Sequence, residues 1–326
     1  MLSSGGFAKP RDVDRSDSMS DFTVVQAGNL FRARPDRLID VGQGQVAVRS
    51  IGEGPDVLFV HGWPVSGATF RSLLPFFVPH FRCHIIDLVG AGDSRFDRTA
   101  RIDVATHSAA VRRVVDTLAL DDVGVVGHDS GGLIARCALA GDPRVRSWGM
   151  IDTEQPQGAH WRLSLLFATR HLPGFERLLT TALNIRLLRR NRFVLGDAFH
   201  DRHLLDGDFA EFFLRPLKEN ADLRWAFGQF PRNFDFSAFD ALASLHSRIN
   251  VPVQLVWGAD DPYFPVAWTR MMMSGFRGEV RLHEVRRGKL FVHEEFPEEV
   301  AAALTPTLAA PHPGSGRVSP DRTKRG

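Results

Sequence analysis

At 326 residues, with 44% hydrophobic and 24% charged side chains, the chain has the composition of an ordinary globular protein with a sizeable core. A formal charge of +2 at pH 7 gives no reason to expect a nucleic-acid partner, and the sequence lacks both a signal-peptide stretch and the roughly 18 consecutive apolar residues that span a bilayer. The two cysteines, Cys83 and Cys137, fall on apolar segments and read as reduced core residues, which suits a cytoplasmic protein.

Residues 1–25 and 311–326 are polar, Gly/Pro-rich and aperiodic, and are expected to be disordered tails. Between them strand and helix patterns alternate. QVAVRSI (45–51) alternates like a half-buried strand, and DVLFVHG (56–62) is a short apolar run like a strand covered on both faces. ATFRSLLPFFV (68–78) reads as a helix and RCHIIDL (82–88) as a buried strand. Asp103 opens a helix with Val104, Val111, Val114, Val115 and Leu118 on one stripe. VGVVGHD (123–129) is a strand, GGLIARCALA a helix, and SWGMID (147–152) a strand. Residues 155–235 then carry only helical patterns, rich in Arg, Leu and Phe. The alternation resumes with VPVQLVWG (251–258), a helix over 266–276, the strand EVRLHEV (279–285) and a last helix through EEVAAALTPTL. Such units predict an α/β fold with a doubly wound, mostly parallel sheet: a core of 26–154 and 236–310, with 155–235 inserted as a helical lid.

The stretch Gly-His-Asp-Ser-Gly-Gly (127–132), at a strand-to-helix junction, reads as a nucleophile elbow. The central residue of such a turn is strained, and the positions two before and two after it must be small. Asp129 at the centre puts Gly127 and Gly131 at those positions, whereas Ser130 at the centre would put the bulky His128 there. Asp129 is therefore the expected nucleophile, able to form an ester with a carbon centre, and the helix dipole is expected to keep it ionised. The backbone N–H groups of Ser130 and of Trp63, in the loop His61-Gly62-Trp63-Pro64, are the candidate oxyanion donors.

Taken together, HGWPVSGATF, DLVGAGDSRF, VGHDSGG, VWGADDPYFP and LFVHEEFPEEV resemble the α/β-hydrolase fold over nearly all of residues 35–310. The resemblance is to its aspartate-nucleophile group of haloalkane dehalogenases, fluoroacetate dehalogenases and epoxide hydrolases. It implies a nucleophile–acid–histidine triad with Asp261 as the acid, three residues past the strand-terminal Gly and directly before Pro262. It implies no cofactor and no metal.

The chain departs from the family where the last motif should read Gly-His-Phe. Phe291, Glu295 and Pro297 keep the register, but the histidine position holds Leu290, which accepts no proton. Loss of a general base typically costs about 10²–10⁴-fold. His293, three residues on, is either a displaced base or a surface residue at a helix start. His61 and His128 border the elbow at positions that are structural in the family. With His160, Trp161 and Leu290 they are expected to line the substrate pocket.

Epoxide hydrolases of this type use two lid tyrosines, and the single tyrosine here, Tyr263, lies in the acid loop. Ser130 stands where the dehalogenases carry a halide-binding Trp; Trp63, Trp161 and Trp225 are alternative indole donors. Ten lid phenylalanines suggest an apolar pocket, while RLLRRNR (186–192) reads as a solvated helix face. The expected protein is a hydrolase of a small hydrophobic substrate with an atypical or missing base, or else a binding protein of the same fold. No nucleic-acid or membrane partner is expected, and the chain is expected to be a monomer or homodimer.

Overall fold

A computed structural model describes residues 22–311, so most of the first predicted tail and all but the first residue of the second lie outside the described residues. The strands are β1 (Arg37–Asp40), β2 (Gln45–Ile51), β3 (Asp56–Val60), β4 (Arg82–Asp87), β5 (Val123–His128), β6 (Val145–Ile151), β7 (Val253–Gly258) and β8 (Val280–Val285). They form one eight-stranded sheet in the order β1-β2-β4-β3-β5-β6-β7-β8. Only the β1–β2 and β2–β4 pairs are antiparallel; every other pair is parallel. The central strands β5, β6 and β7 are buried at every position, because helices cover both faces of a parallel sheet.

The helices are α1 (Val24–Arg32), α2 (Leu74–Phe77), α3 (Val104–Leu118), α4 (Ser130–Leu139), α5 (Trp161–Thr169), α6 (Phe175–Asn184), α7 (Arg186–Arg189), α8 (Arg215–Glu219), α9 (Ala221–Asn233), α10 (Ser237–His246), α11 (Val266–Met272), α12 (Val292–Glu295) and α13 (Pro297–Leu308). α3 begins as the sequence indicates, with Thr106 N donating to the Asp103 carboxylate at 2.7 Å. From α5 to α10, between β6 and β7, the described chain has no strand. There Phe167 packs with Phe234 and Phe236, while Phe199 and Phe209 pack on Phe291 of the main body at the seam. Arg186, Arg189 and Arg190 all pair with Asp206, so the basic cluster is partly neutralised.

Two local expectations are corrected. Residues 24 and 25 belong to a helix and not to a tail: Thr23 and Gln26 form a reciprocal capping box that starts α1. The expected helix over 68–78 is instead a 3-10 turn (Gly67–Phe70) followed by the single turn of α2. Pro75 has no N–H to continue a helix, so the helix restarts with Pro75 in its first turn.

Candidate active site

The junction of β5 and α4 is sharply bent. Asp129 has φ 50° and ψ −139°, a conformation side chains rarely adopt, and it is the N-cap of α4. Three bonds hold it there: Asp129 N donates to Asp152 O at 3.0 Å, while Gly132 N and Thr153 Oγ1 donate to Asp129 O, each at 2.8 Å. A Cβ on Gly127 would lie 2.6 Å from Gly132 Cα, and one on Gly62 would overlap the Asp129 carboxyl. The glycine pattern thus reflects close approach.

The carboxyl meets the loop after β3. Trp63 N donates both to Asp129 Oδ2 and to Ser130 Oγ, each at 2.9 Å, and Ser130 Oγ donates to Asp129 Oδ2 at 3.2 Å. The Trp63 indole points elsewhere, donating to Phe227 O of the lid at 2.9 Å. The expectation of a readily ionised nucleophile is corrected: burial, then the nearby Glu154, pushes the Asp129 carboxyl well above its ordinary range. The donors from Ser130 and Trp63 oppose that shift and are outweighed.

Two further carboxyls lie at the ends of β6 and β7. Asp261 Oδ1 accepts from Tyr263 N at 2.7 Å, and Asp152 Oδ1 accepts from Gly258 N at 2.8 Å. The two carboxyls lie close enough to perturb each other, and the Oδ2 of each is buried with no hydrogen-bond partner. Burial pushes Asp261 up to about 7, and burial with the Asp261 charge beside it pushes Asp152 well above the ordinary carboxyl range. Asp152 escaped the sequence reading, as did its positive φ of 33°. The available signal was a carboxylate at the carboxyl end of a parallel strand, where α/β folds place ligands.

The histidine position holds the buried Leu290, whose carbonyl accepts from His128 Nε2 at 2.8 Å. His293 is fully buried, which corrects its reading as a surface residue. Thr69 Oγ1 donates to Glu294 Oε1 at 2.7 Å, so at 2.9 Å from His293 Nε2 it accepts from that ring. The ring also lies 4.2 Å from that of His128. No hydrogen bond joins His293 to Asp129, and burial, His128 and Arg71 drive its pKa well below the ordinary value.

A cavity of about 400 Å³ opens beneath the lid, walled by Trp63, Ser130, His61, Val65, Ile134, Phe212, Phe227 and Phe230 among others. Asp129, 8% exposed, lies directly behind this wall and meets it through Ser130 and Trp63. Of the expected pocket residues, His61 lines the cavity; His128, His160 and Leu290 do not. His160 packs beside the acid loop, 3.0 Å from Pro262 O. Trp161, 53% exposed, lines a separate, mostly apolar cleft with Tyr263 and Phe193. Trp225 stacks on Phe96. His107, a cavity residue from α3, was not singled out from sequence, where a histidine inside a helical stripe carries no distinguishing mark.

Residues 55–285 match the family model of the alpha/beta hydrolase fold. The chain is 27% identical over 278 residues to haloalkane dehalogenase 2 of Mycobacterium bovis, an alignment covering 82% of this chain and 93% of that protein. It is 39% identical over 84 residues, 26% of this chain and 29% of the relative, to a soluble epoxide hydrolase of a Corynebacterium species. In structure it resembles haloalkane dehalogenase DbeA from Bradyrhizobium elkani, with a TM-score of 0.70, 19% identity, and coverage of 84% and 96% of the two chains. The chain belongs to the α/β-hydrolase fold family, within which its likeness lies with the haloalkane dehalogenase and epoxide hydrolase group.

Proposed function

We propose that this hydrolase attacks a small hydrophobic substrate, of carbon–halogen, epoxide or ester type, through the Asp129 carboxylate. One observation carries the reading: a carboxyl at a strained elbow with the Trp63 N–H on its Oδ2. Oδ2 is the held oxygen, and the reading assigns attack to Oδ1. With an alkyl halide the C–O ester bond forms as the carbon–halogen bond breaks, and halide leaves with the bonding pair. Water then attacks Cγ of the ester and the Cγ–O bond to the alkyl group breaks; one water proton leaves with the product alcohol, the other goes to solvent, and the Asp129 carboxylate is regenerated, while the Trp63 and Ser130 amides stabilise the charge that develops on oxygen.

The second step is the slow one. Leu290 accepts no proton, and His293 is committed to Thr69 in a setting that disfavours its charged form. The enzyme is therefore expected to accumulate its ester. Halide or alcohol release is followed in time against a panel of alkyl halides, epoxides and esters. The expected trace for a reactive halide is a burst approaching one equivalent per chain, followed by turnover about 10²–10⁴-fold slower than a histidine-equipped site gives. No burst and no turnover across the panel would overturn the reading.

A further inference from the structure

The cavity beneath the lid has more polar wall than the Asp129 chemistry uses, and its polar side chains sort by the bonds they already make. His61 is committed twice: Nδ1 donates to Gly62 O at 2.8 Å, and Nε2 accepts from Leu88 N at 2.9 Å. Arg49 binds Asp87 and Asp93 as well as two carbonyls, and Glu211 takes Arg32. Ser130 and Trp63 are tied to Asp129 and the lid. His107 differs. It is 3% exposed, neither ring nitrogen makes a hydrogen bond, Nδ1 is shut off from the cavity so that Nε2 is the nitrogen a ligand can reach, and its ring rests against Phe230 with centroids 5.7 Å apart. A buried polar atom without a partner destabilises by about 1–3 kcal/mol, and such groups are retained where a ligand or a solvent molecule completes them.

We propose that His107 is the polar anchor of this cavity, which takes an apolar molecule bearing one neutral hydrogen-bonding group: a hydroxyl, a carbonyl or a carboxamide. Plain hydrocarbons and carboxylates are the ligands it disfavours. The apolar part lies against Ile134, Phe212, Phe227 and Phe230, in a volume suited to a small aromatic or branched aliphatic body. Neutrality of the polar group follows from the ring's surroundings. Burial, reinforced by His61 and opposed only by Asp103, pushes the His107 imidazole down to about 3, so the ring carries no charge and its Nε2 meets the ligand as donor or acceptor according to tautomer. The inference deepens the hydrolase reading by naming its substrate class, and rests on it only in calling this the substrate cavity.

The test is a binding titration of the full chain, by ligand-observed NMR or calorimetry, with toluene, benzyl alcohol and benzoate, three ligands of one shape. The expected order is benzyl alcohol about tenfold tighter than toluene, with benzoate weakest. His107→Phe keeps a ring on Phe230 and removes both nitrogens. It is expected to bring benzyl alcohol to within about twofold of toluene while leaving toluene binding unchanged. His107→Leu makes the same deletion if the Phe variant does not fold. His107→Gln, which keeps a donor and an acceptor, is expected to retain part of the preference. Equal binding of toluene and benzyl alcohol, a preference that survives removal of the ring nitrogens, tighter benzoate, or no binding at all overturns the proposal. The outcome is separable from the hydrolase reading: an Asp129 ester without the preference refutes this anchor alone, and the preference without an ester refutes the chemistry alone.

Discussion

His128 Nε2 donates to the carbonyl of Leu290 at 2.8 Å, so the residue just before Asp129, the proposed nucleophile, holds the backbone at the position where the resemblance implies a histidine. The support for a base is thus in place beneath a side chain that cannot serve as one. Leu290→His is predicted to speed decay of the Asp129 ester by about 10²–10⁴-fold with little change in its formation. Quenched time courses read by intact mass give both rates. A folded variant whose ester decays no faster would contradict the assignment of that position.

His293 is predicted to act through packing. Its Nε2 donates to Thr69, and its ring lies against Phe70 and His128. His293→Ala leaves a buried void and removes the donor to Thr69 Oγ1, which keeps its own bond to Glu294, so a loss of about 2–4 kcal/mol in urea unfolding is expected. The rate of ester formation at a temperature where the variant stays folded should change less than about threefold. Abolished ester hydrolysis in a stable variant would make His293 the base after all.

The Asp152–Asp261 pair predicts a pH-dependent stability of unusual sign. Asp261 is pushed from an ordinary 3.8 up to about 7, so between those values this site binds more protons in the folded chain than in the unfolded one. Its contribution is complete below about pH 4 and is lost as pH rises through about 7, with a slope of at most about 1.4 kcal/mol per pH unit for one proton. The buried histidines, held neutral, shift the whole chain's stability the opposite way, so the pair is read by difference: the urea stability of wild type minus that of Asp261→Asn is expected to be larger at pH 5 than at pH 8. A difference that is equal at the two pH values, or larger at pH 8, would contradict this.

Ester formation needs the Asp129 carboxylate ionised, and burial with Glu154 nearby works against that. The burst rate is therefore predicted to rise with pH. Removing the neighbouring charge with Glu154→Gln is predicted to move the profile to lower pH. A burst rate flat from pH 5 to pH 9 would mean that the carboxyl is already ionised.

Gly127→Ala tests the elbow itself. The added methyl would lie 2.6 Å from Gly132 Cα, backbone that has no room to yield while Gly132 packs on Thr153. Destabilisation of about 1–3 kcal/mol with loss of the burst is expected from unfolding and activity measurements on the same preparation. A variant of unchanged stability would show that the turn is looser than its glycines indicate.

Most of the strands, the mostly parallel sheet they imply and the elbow were legible in the sequence because they depend on local signals: apolar runs alternating with helical patterns, and small residues at fixed distances from Asp129. The start of α1 was not read: Thr23, which forms a capping box with Gln26, continues a polar, aperiodic stretch and reads with it as tail. Asp152, Glu154 and His107 were not read out, because their roles arise only when strand ends and a distant helix converge. No spacing along the chain states that Asp152 will face Asp261 across 109 positions, or that an α3 histidine will face the lid. Burial, too, is a property of the assembled site, which is why an aspartate expected to be ionised is held toward its neutral form.

The most direct test is to map the covalent product. After incubation with a reactive alkyl halide, the elbow peptide containing Asp129 and Ser130 is sequenced by tandem mass spectrometry. The account predicts the alkyl mass on Asp129, removable by mild base and absent from Asp129→Asn. The same mass on Ser130, or on neither residue while halide is released, would contradict it.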